Sequence, residues 1–269
     1  MTLRVLTQNF RKSNIMEAKL SRHWDRRLPY MVEHLKKVNP AVVGAQEATV
    51  AQCADIMSAF PNWTYVGGVK FGNVPIFWNT QILQAEEGTL LEKKYPSGER
   101  ERYATLIRLQ HRELEWGGWF GSIHLAANGF DEPDSATLRA TQMKAIVRDF
   151  RAWMAEHPHP EDEKYNLIVC GDLNDNLGDN AGVRKIAFDK GGWKPLRKRL
   201  PLEKIKGRTL RSFNGWKATS SLPHDSKPID EIFTSGVTLE DAALWRTCTD
   251  IWPIHVSDHN TYVADLIVP

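Results

Sequence analysis

Leu167–Asn174 reads LIVCGDLN. Four apolar residues form a run of the length and composition of a buried strand, which ends at Gly171, and the chain turns polar at once through Asp172 and Asn174. Gly, Asp and Asn also favour plain turns, so this segment alone decides little. Four other segments repeat its layout. LTQN ends at Asn9, VVGAQE at Glu47 and GSIH at His124, while VSDH sets Asp258 and His259 just ahead of the last strand. Strand ends that lie on one edge of a layered sheet structure converge in space. Residues from 9 to 259 can therefore line one pocket.

The intervening sequence supplies the layers. LRVLT at 3–7 alternates as a strand. Arg22–Val38 carries Trp24, Leu28, Met31, Val32 and Leu35 near helical spacing, and Asn39-Pro40 ends that helix. Ala41–Ala45 is a short buried strand, and Thr49–Phe60 is a helix capped by Thr49. Strands are predicted at Thr64–Gly67, Pro75–Trp78, Ala104–Leu109 and Trp119–His124, punctuated by glycines. Asp134–Glu156 is the longest helix. Asn166–Cys170, Ile229–Thr234 and Asn260–Val268 complete the strands. Helices outside and strands inside predict an α/β fold: a four-layer sandwich of two packed mixed β-sheets flanked by helices, with residues 1–269 as a single domain.

Composition agrees with that core. Of 269 residues, 42% are hydrophobic and 25% charged, which fits neither a disordered chain nor a membrane protein. The apolar runs are strand-length, and MTLRVLTQNF lacks a signal-peptide layout, so a cytoplasmic protein without membrane insertion is expected, monomeric by default. Cys53, Cys170 and Cys248 form no CxxC pair and read as free thiols. The net charge is only +2, but it is unevenly spread. Eleven basic residues lie between Arg184 and Arg211 against Asp189 and Glu203 alone. A charge run is often just a solvated loop. This one follows the strand that delivers Asp172, where Arg197, Lys198 and Arg199 would meet successive phosphates and Trp193 or Trp216 would stack on bases.

Oxygen donors such as Asn9, Glu47 and Asp258 suit a hard divalent cation. A carboxylate that orients water, beside a His–Asp pair, suits attack on a phosphate ester. At this point the sequence resembles the exonuclease–endonuclease–phosphatase family, which includes pancreatic-type deoxyribonucleases, abasic-site endonucleases and bacterial sphingomyelinases. The resemblance runs from TQNF to SDHN, with QE at 46–47, GDLN at 171–174 and SDH at 257–259 in the family's order. It implies metal ligation by Glu47, Asn9 and Asp258, with Mg²⁺ or Mn²⁺ as the ion. It implies that Asp172 activates water, that Asn174 contacts the phosphate and that His259 is catalytic and oriented by Asp230. His124 corresponds to a second phosphate-facing histidine and Arg102 to an arginine on the phosphate. Two features depart from the family. No glutamate near Phe71–Asn79 supports His124, and DNLGDN follows GDLN where abasic-site endonucleases carry an apolar run.

Each residue has a plainer explanation when taken singly. Asn9 could be a turn residue, Glu47 a helix cap, His124 a core histidine and Asp230 a buried ion-pair partner. Their joint occurrence in order favours catalysis. The expected activity is metal-dependent phosphodiester hydrolysis on nucleic acid. The alternatives are a lipid or small-molecule phosphoesterase on the same site, or an inactive binding protein of the same fold.

Overall fold

The structure is a computed structural model that describes residues 2–12, 23–68, 73–96, 101–127, 135–159, 166–175, 182–196, 205–206, 229–236, 243–247, 257–259 and 261–267. In chain order the elements are β1 (Thr2–Asn9), α1 (Trp24–Val38), β2 (Val42–Gln46), α2 (Val50–Ala59), β3 (Trp63–Val66), β4 (Ile76–Asn79) and β5 (Leu83–Ala85). Then come β6 (Leu91–Tyr95), β7 (Arg102–His111), β8 (Gly117–His124), α3 (Ser135–Glu156), β9 (Leu167–Asp172) and α4 (Gly182–Gly191). The remainder are β10 (Lys194–Pro195), β11 (Ile205–Lys206), β12 (Asp230–Ser235), β13 (Ala243–Thr247) and β14 (Thr261–Ile267).

The strands form two sheets. One has the order β11-β13-β14-β1-β2-β4-β3, and the other runs β10-β12-β9-β8-β7-β5, with β6 also paired to β7. Both are mixed. β1 is parallel to β2 and antiparallel to β14, while β9 is parallel to β8 and antiparallel to β12.

Strand alternation explains the layering. Successive side chains point to opposite faces. In β9, Ile168 and Cys170 join the core between the sheets, whereas Leu167 and Val169 pack outward with Phe150, Met143 and Ile146 of α3. In β1, Val5 points inward between the sheets and Leu6 outward to Met31 and Leu35 of α1. Three apolar layers thus hold four layers of structure, as the sequence predicted. Where β2 crosses β9 the sheets approach closely. A Cβ on Gly44 would lie 2.4 Å from Cys170 Cβ, so only glycine fits there.

Thr49 caps α2 as expected, and forms a full capping box with Gln52. Six elements, β5, β6, α4, β10, β11 and β13, are absent from the sequence reading. β5 and β6 were not anticipated, because QA and LEKKY carry their polar residues on the edge of the sheet. α4 overlaps the start of the basic run, for which the sequence analysis names no helix; Val183 and Ala187 are on its buried face. No helix among the described residues is long and apolar enough to cross a membrane. Cys53 and Cys170 are buried free thiols, and burial pushes each up to about 12. Cys248 lies outside the described residues.

Candidate active site

Register places the polar strand ends in rows. His124, Asp172 and Asp230 are direct neighbours across β8, β9 and β12, and Asn9 pairs with Gln46 across β1 and β2. The two rows face one another at the same edge of the sandwich. Gly171 permits the close packing of β9 on β8, since a Cβ there would meet Ile123 Cγ1 at 2.4 Å.

Asp172 is the centre of the cluster. Its Oδ2 lies 3.0 Å from Asn9 Nδ2, 3.6 Å from His124 Nε2 and 3.7 Å from His259 Nε2. Its Oδ1 accepts the Asn174 backbone N–H at 2.9 Å. Burial raises the Asp172 carboxyl above the usual range; His259 and His124 oppose that, and Asp230 adds to it. His259 Nδ1 donates to Asp230 Oδ2 at 2.8 Å. Burial alone would discharge this imidazole, but Asp230 and then Asp172 outweigh it and carry His259 up to about 10. His259 is therefore an imidazolium held in one orientation, with Nε2 turned to Asp172. His124 moves the other way. Burial lowers it more than Asp172 raises it, and the Arg102 charge lowers it further.

Glu47 continues the site toward Asp258. Burial would raise its carboxyl, yet His124, Arg11, His259 and the Lys12 backbone N–H together hold it at about 2. Arg11 stands between the two acids, 3.7 Å from Glu47 Oε2 and 3.5 Å from Asp258 Oδ2. Asn9 was expected to offer oxygen to a metal. Its Oδ1 accepts the Arg11 backbone N–H at 2.8 Å, and its Nδ2 faces Glu47 Oε1 at 3.2 Å as well as Asp172. An amide wedged between two carboxylates presents nitrogen to them, so Asn9 separates the acids by hydrogen bonding. Ser257 ties the last loop to the first strand: its hydroxyl donates to Asn9 O at 2.6 Å and accepts from His259 N at 3.2 Å.

The structure thus gathers Asn9, Glu47, His124, Asp172, Asn174, Asp230, Asp258 and His259. All but Glu47 and Asn174 are buried. Arg102 starts β7 close enough to act on His124 electrostatically. The basic run needs two corrections. Arg184 is fully enclosed, pairs with Glu231 at 3.1 Å and donates to Asp175 O, so it faces no solvent. Trp193 is 1% exposed and packs on Phe150 and Phe233 in the core, so it cannot stack on a base. Arg197, Lys198, Arg199 and Trp216 lie outside the described residues. Sequence reasoning missed Arg11. Its only signal was a cation two positions past a ligand-bearing strand end.

The sequence matches no family model and no curated protein. The architecture does match solved structures. An endonuclease/exonuclease/phosphatase protein of Bacteroides vulgatus superposes with a TM-score of 0.79 at 17% identity, over 100% of both chains. The chain has the endonuclease/exonuclease/phosphatase fold. Mannosyl-6-phosphatase of Bacteroides thetaiotaomicron shares this fold at a TM-score of 0.76 and 17% identity, over 99% of this chain and 100% of that one. So does D. rerio TDP2, solved with a single-strand DNA product, at 0.72 and 15% over 99% of each.

A divalent ion suits one part of this site better than another. Asp172, Asp230 and His259 bring three ligand atoms within 4.8 Å of one another, but their own imidazolium–carboxylate pairing already balances that group. Glu47 and Asp258 are different. A guanidinium already stands between their oxygens, and two acidic oxygens that share one cation match the donor set of a hard metal.

Proposed function

We propose that this protein is a metal-dependent phosphoesterase that cleaves phosphodiester bonds, with nucleic acid as its substrate. The observation that carries the reading is the Asp172–His259–Asp230 arrangement, a raised carboxyl beside an imidazolium locked by a second carboxylate. The fold, shared with a sugar phosphatase and a DNA-binding relative, supports it.

Each side chain has a role in hydrolysis. Asp172 Oδ2 orients the attacking water and takes its proton, and its raised pKa makes it a stronger base than a free carboxylate. His259, kept cationic by Asp230, places a proton and a charge against the phosphoryl oxygen. Neutral His124 and the Asn174 side chain complete the cradle for the pentavalent phosphorus, and Arg102 adds charge at its rim. Glu47 and Asp258 would hold Mg²⁺ or Mn²⁺, which when bound supplies a Lewis acid against charge developing on the phosphate oxygens. Arg197, Lys198 and Arg199 would bind the backbone of the strand.

A second reading is a small phosphate ester as substrate. The burial of Arg184 and Trp193 favours it, because both drop out of the proposed strand-binding surface. One experiment separates the readings. Turnover is compared on single-stranded DNA, duplex DNA, RNA, an abasic duplex, a sphingomyelin analogue and mannose 6-phosphate, with Mg²⁺ and with chelator. Metal-dependent cleavage of a nucleic acid supports the first reading. Turnover confined to the sugar phosphate or the lipid overturns the nucleic-acid assignment. Full activity in excess chelator overturns metal dependence.

A further inference from the structure

The two histidines of the site are held in different ways. His259 has a carboxylate behind it, since Asp230 Oδ2 accepts its Nδ1 proton at 2.8 Å. His124 has no such support. Its Nε2 stands 3.6 Å from Asp172 Oδ2, too far for a hydrogen bond, and among the described residues its imidazole makes none. It is also the last residue of β8, where regular pairing ends.

The backbone just beyond it is pinned instead. Four successive main-chain groups each have a partner. Leu125 N–H donates to Asp172 O at 3.0 Å, and Leu125 O accepts from Asn174 Nδ2 at 3.0 Å. Ala126 N–H donates to Gln142 Oε1 at 3.0 Å, and Ala126 O accepts from Arg139 Nη1 at 3.2 Å. Leu125 and Ala126 are buried, so no water would replace a lost partner. Arg139 and Gln142 lie three positions apart on α3 and share one face of it. Gln142 is itself buried, and its Nε2 reaches the other way to Pro96 O at 2.7 Å, one residue past the end of β6. Tyr95, which ends β6, pairs with Arg102 on β7. One amide thus ties the strand end that carries His124 to the hairpin that carries Arg102.

We propose that Gln142, assisted by Arg139, is a positioning residue for phosphoester hydrolysis, which fixes His124 through the backbone of Leu125 and Ala126 in place of the side-chain partner that this imidazole lacks. The inference rests on the phosphoesterase reading above. A catalytic group has to sit within about 0.5 Å of its productive place. A ring with no hydrogen bond of its own takes its position from its Cα, and the Cα of a terminal strand residue takes its position from the peptides beyond it. Loss of Gln142 releases Ala126 N–H and Pro96 O together. His124 then drifts, while Asp172 and the His259–Asp230 pair keep their own contacts.

The test is steady-state hydrolysis of bis(p-nitrophenyl) phosphate by the full chain with Mg²⁺, or of the panel substrate that is cleaved if this diester is inert. Wild type is compared with Gln142→Met, Gln142→Leu, His124→Ala and the double variant His124→Ala/Gln142→Met. Methionine and leucine fill the space without hydrogen bonds, so either one that folds suffices. Met154→Ala, about 18 Å further along the axis of α3, controls for loss of stability alone. All are assayed well below their thermal midpoints. Gln142→Met should lower kcat about tenfold with a smaller change in KM, whereas Met154→Ala should keep the wild-type kcat. In the His124→Ala background the Gln142 substitution should cost nothing further, because the residue it positions is gone. An unchanged kcat in the Gln142 variants, or an equal loss with and without His124, overturns the inference and leaves the phosphoesterase reading standing. Wild-type kcat in His124→Ala does the same. If wild type turns over neither the diester nor any substrate of the panel, both fall.

Discussion

His34 makes the protein's stability depend on pH in a way the structure quantifies. It sits on α1, 3% exposed, and its Nε2 donates to Thr261 Oγ1 at 2.9 Å. The Thr261 hydroxyl in turn donates a hydrogen bond to Gln8 Oε1, and Gln8 Nε2 donates to Asn9 O at 2.8 Å. The imidazole is neutral because burial, and secondarily the Lys37 charge, lower it from 6.5 to about 4. The unfolded chain takes up this proton near pH 6.5, whereas the folded chain resists it until about pH 4. Between those values the unfolded state binds more protons, so stability falls as pH falls and levels off below the folded value. At 1.36 kcal/mol per pK unit the whole window corresponds to about 3 kcal/mol, most of which is lost between pH 7 and 4.5. Guanidinium chloride unfolding of wild type and His34→Gln at those two pH values measures it. Glutamine keeps a donor and cannot titrate, so the variant should lose about 2 kcal/mol less than wild type on acidification. The same acid sensitivity in both proteins would refute the argument.

Asp172→Asn and His259→Ala should each lower kcat at least ~100-fold with a smaller effect on KM, and Asp230→Ala should act in the same direction by releasing His259; steady-state kinetics on the substrate found by the panel checks all three. Gly44→Ala should destabilise the fold by about 1–3 kcal/mol, because its methyl group would overlap Cys170 between the sheets; a thermal melt with an unchanged midpoint would contradict that packing. Neutralising Arg197, Lys198 and Arg199 together in the Asp172→Asn background should flatten the salt dependence of duplex binding by up to ~2.7 logarithmic units, at ~0.9 per phosphate contact. An unchanged slope would remove these three residues from the substrate surface.

The candidate site was legible because strand ends declare themselves locally. GDLN, QE and SDH each couple an abrupt change from apolar to polar sequence with residues that favour turns, and the register of β8, β9 and β12 then sets His124, Asp172 and Asp230 side by side. Roles that depend on partners far along the chain were not legible. The hydrogen bonds of Asn9, its oxygen to Arg11 N–H and its nitrogen to two acids, join residues that local sequence does not pair. Arg184 and Trp193 read as exposed because their neighbours in sequence are basic. The structure buries them because α4 turns Arg184 toward Glu231, 47 positions away, and packs Trp193 beneath α3. β6 escaped because LEKKY buries only Tyr95 among the described positions with any depth, too weak a pattern for a strand at a sheet edge.

Among the described residues, three of the five non-glycine residues with left-handed backbones, Arg11, Glu47 and Asn174, lie at the edge that carries the candidate site. Each such residue with a Cβ carries strain of roughly 1–2 kcal/mol that glycine would relieve. Glu47→Gly and Arg11→Gly would also remove charges crowded into a poorly solvated place. A library of variants sorted for heat resistance alone would therefore enrich glycine at these positions and discard the chemistry along with the strain. Directed evolution of this scaffold needs a selection that reports turnover from its first round, with thermostabilising changes sought away from this edge.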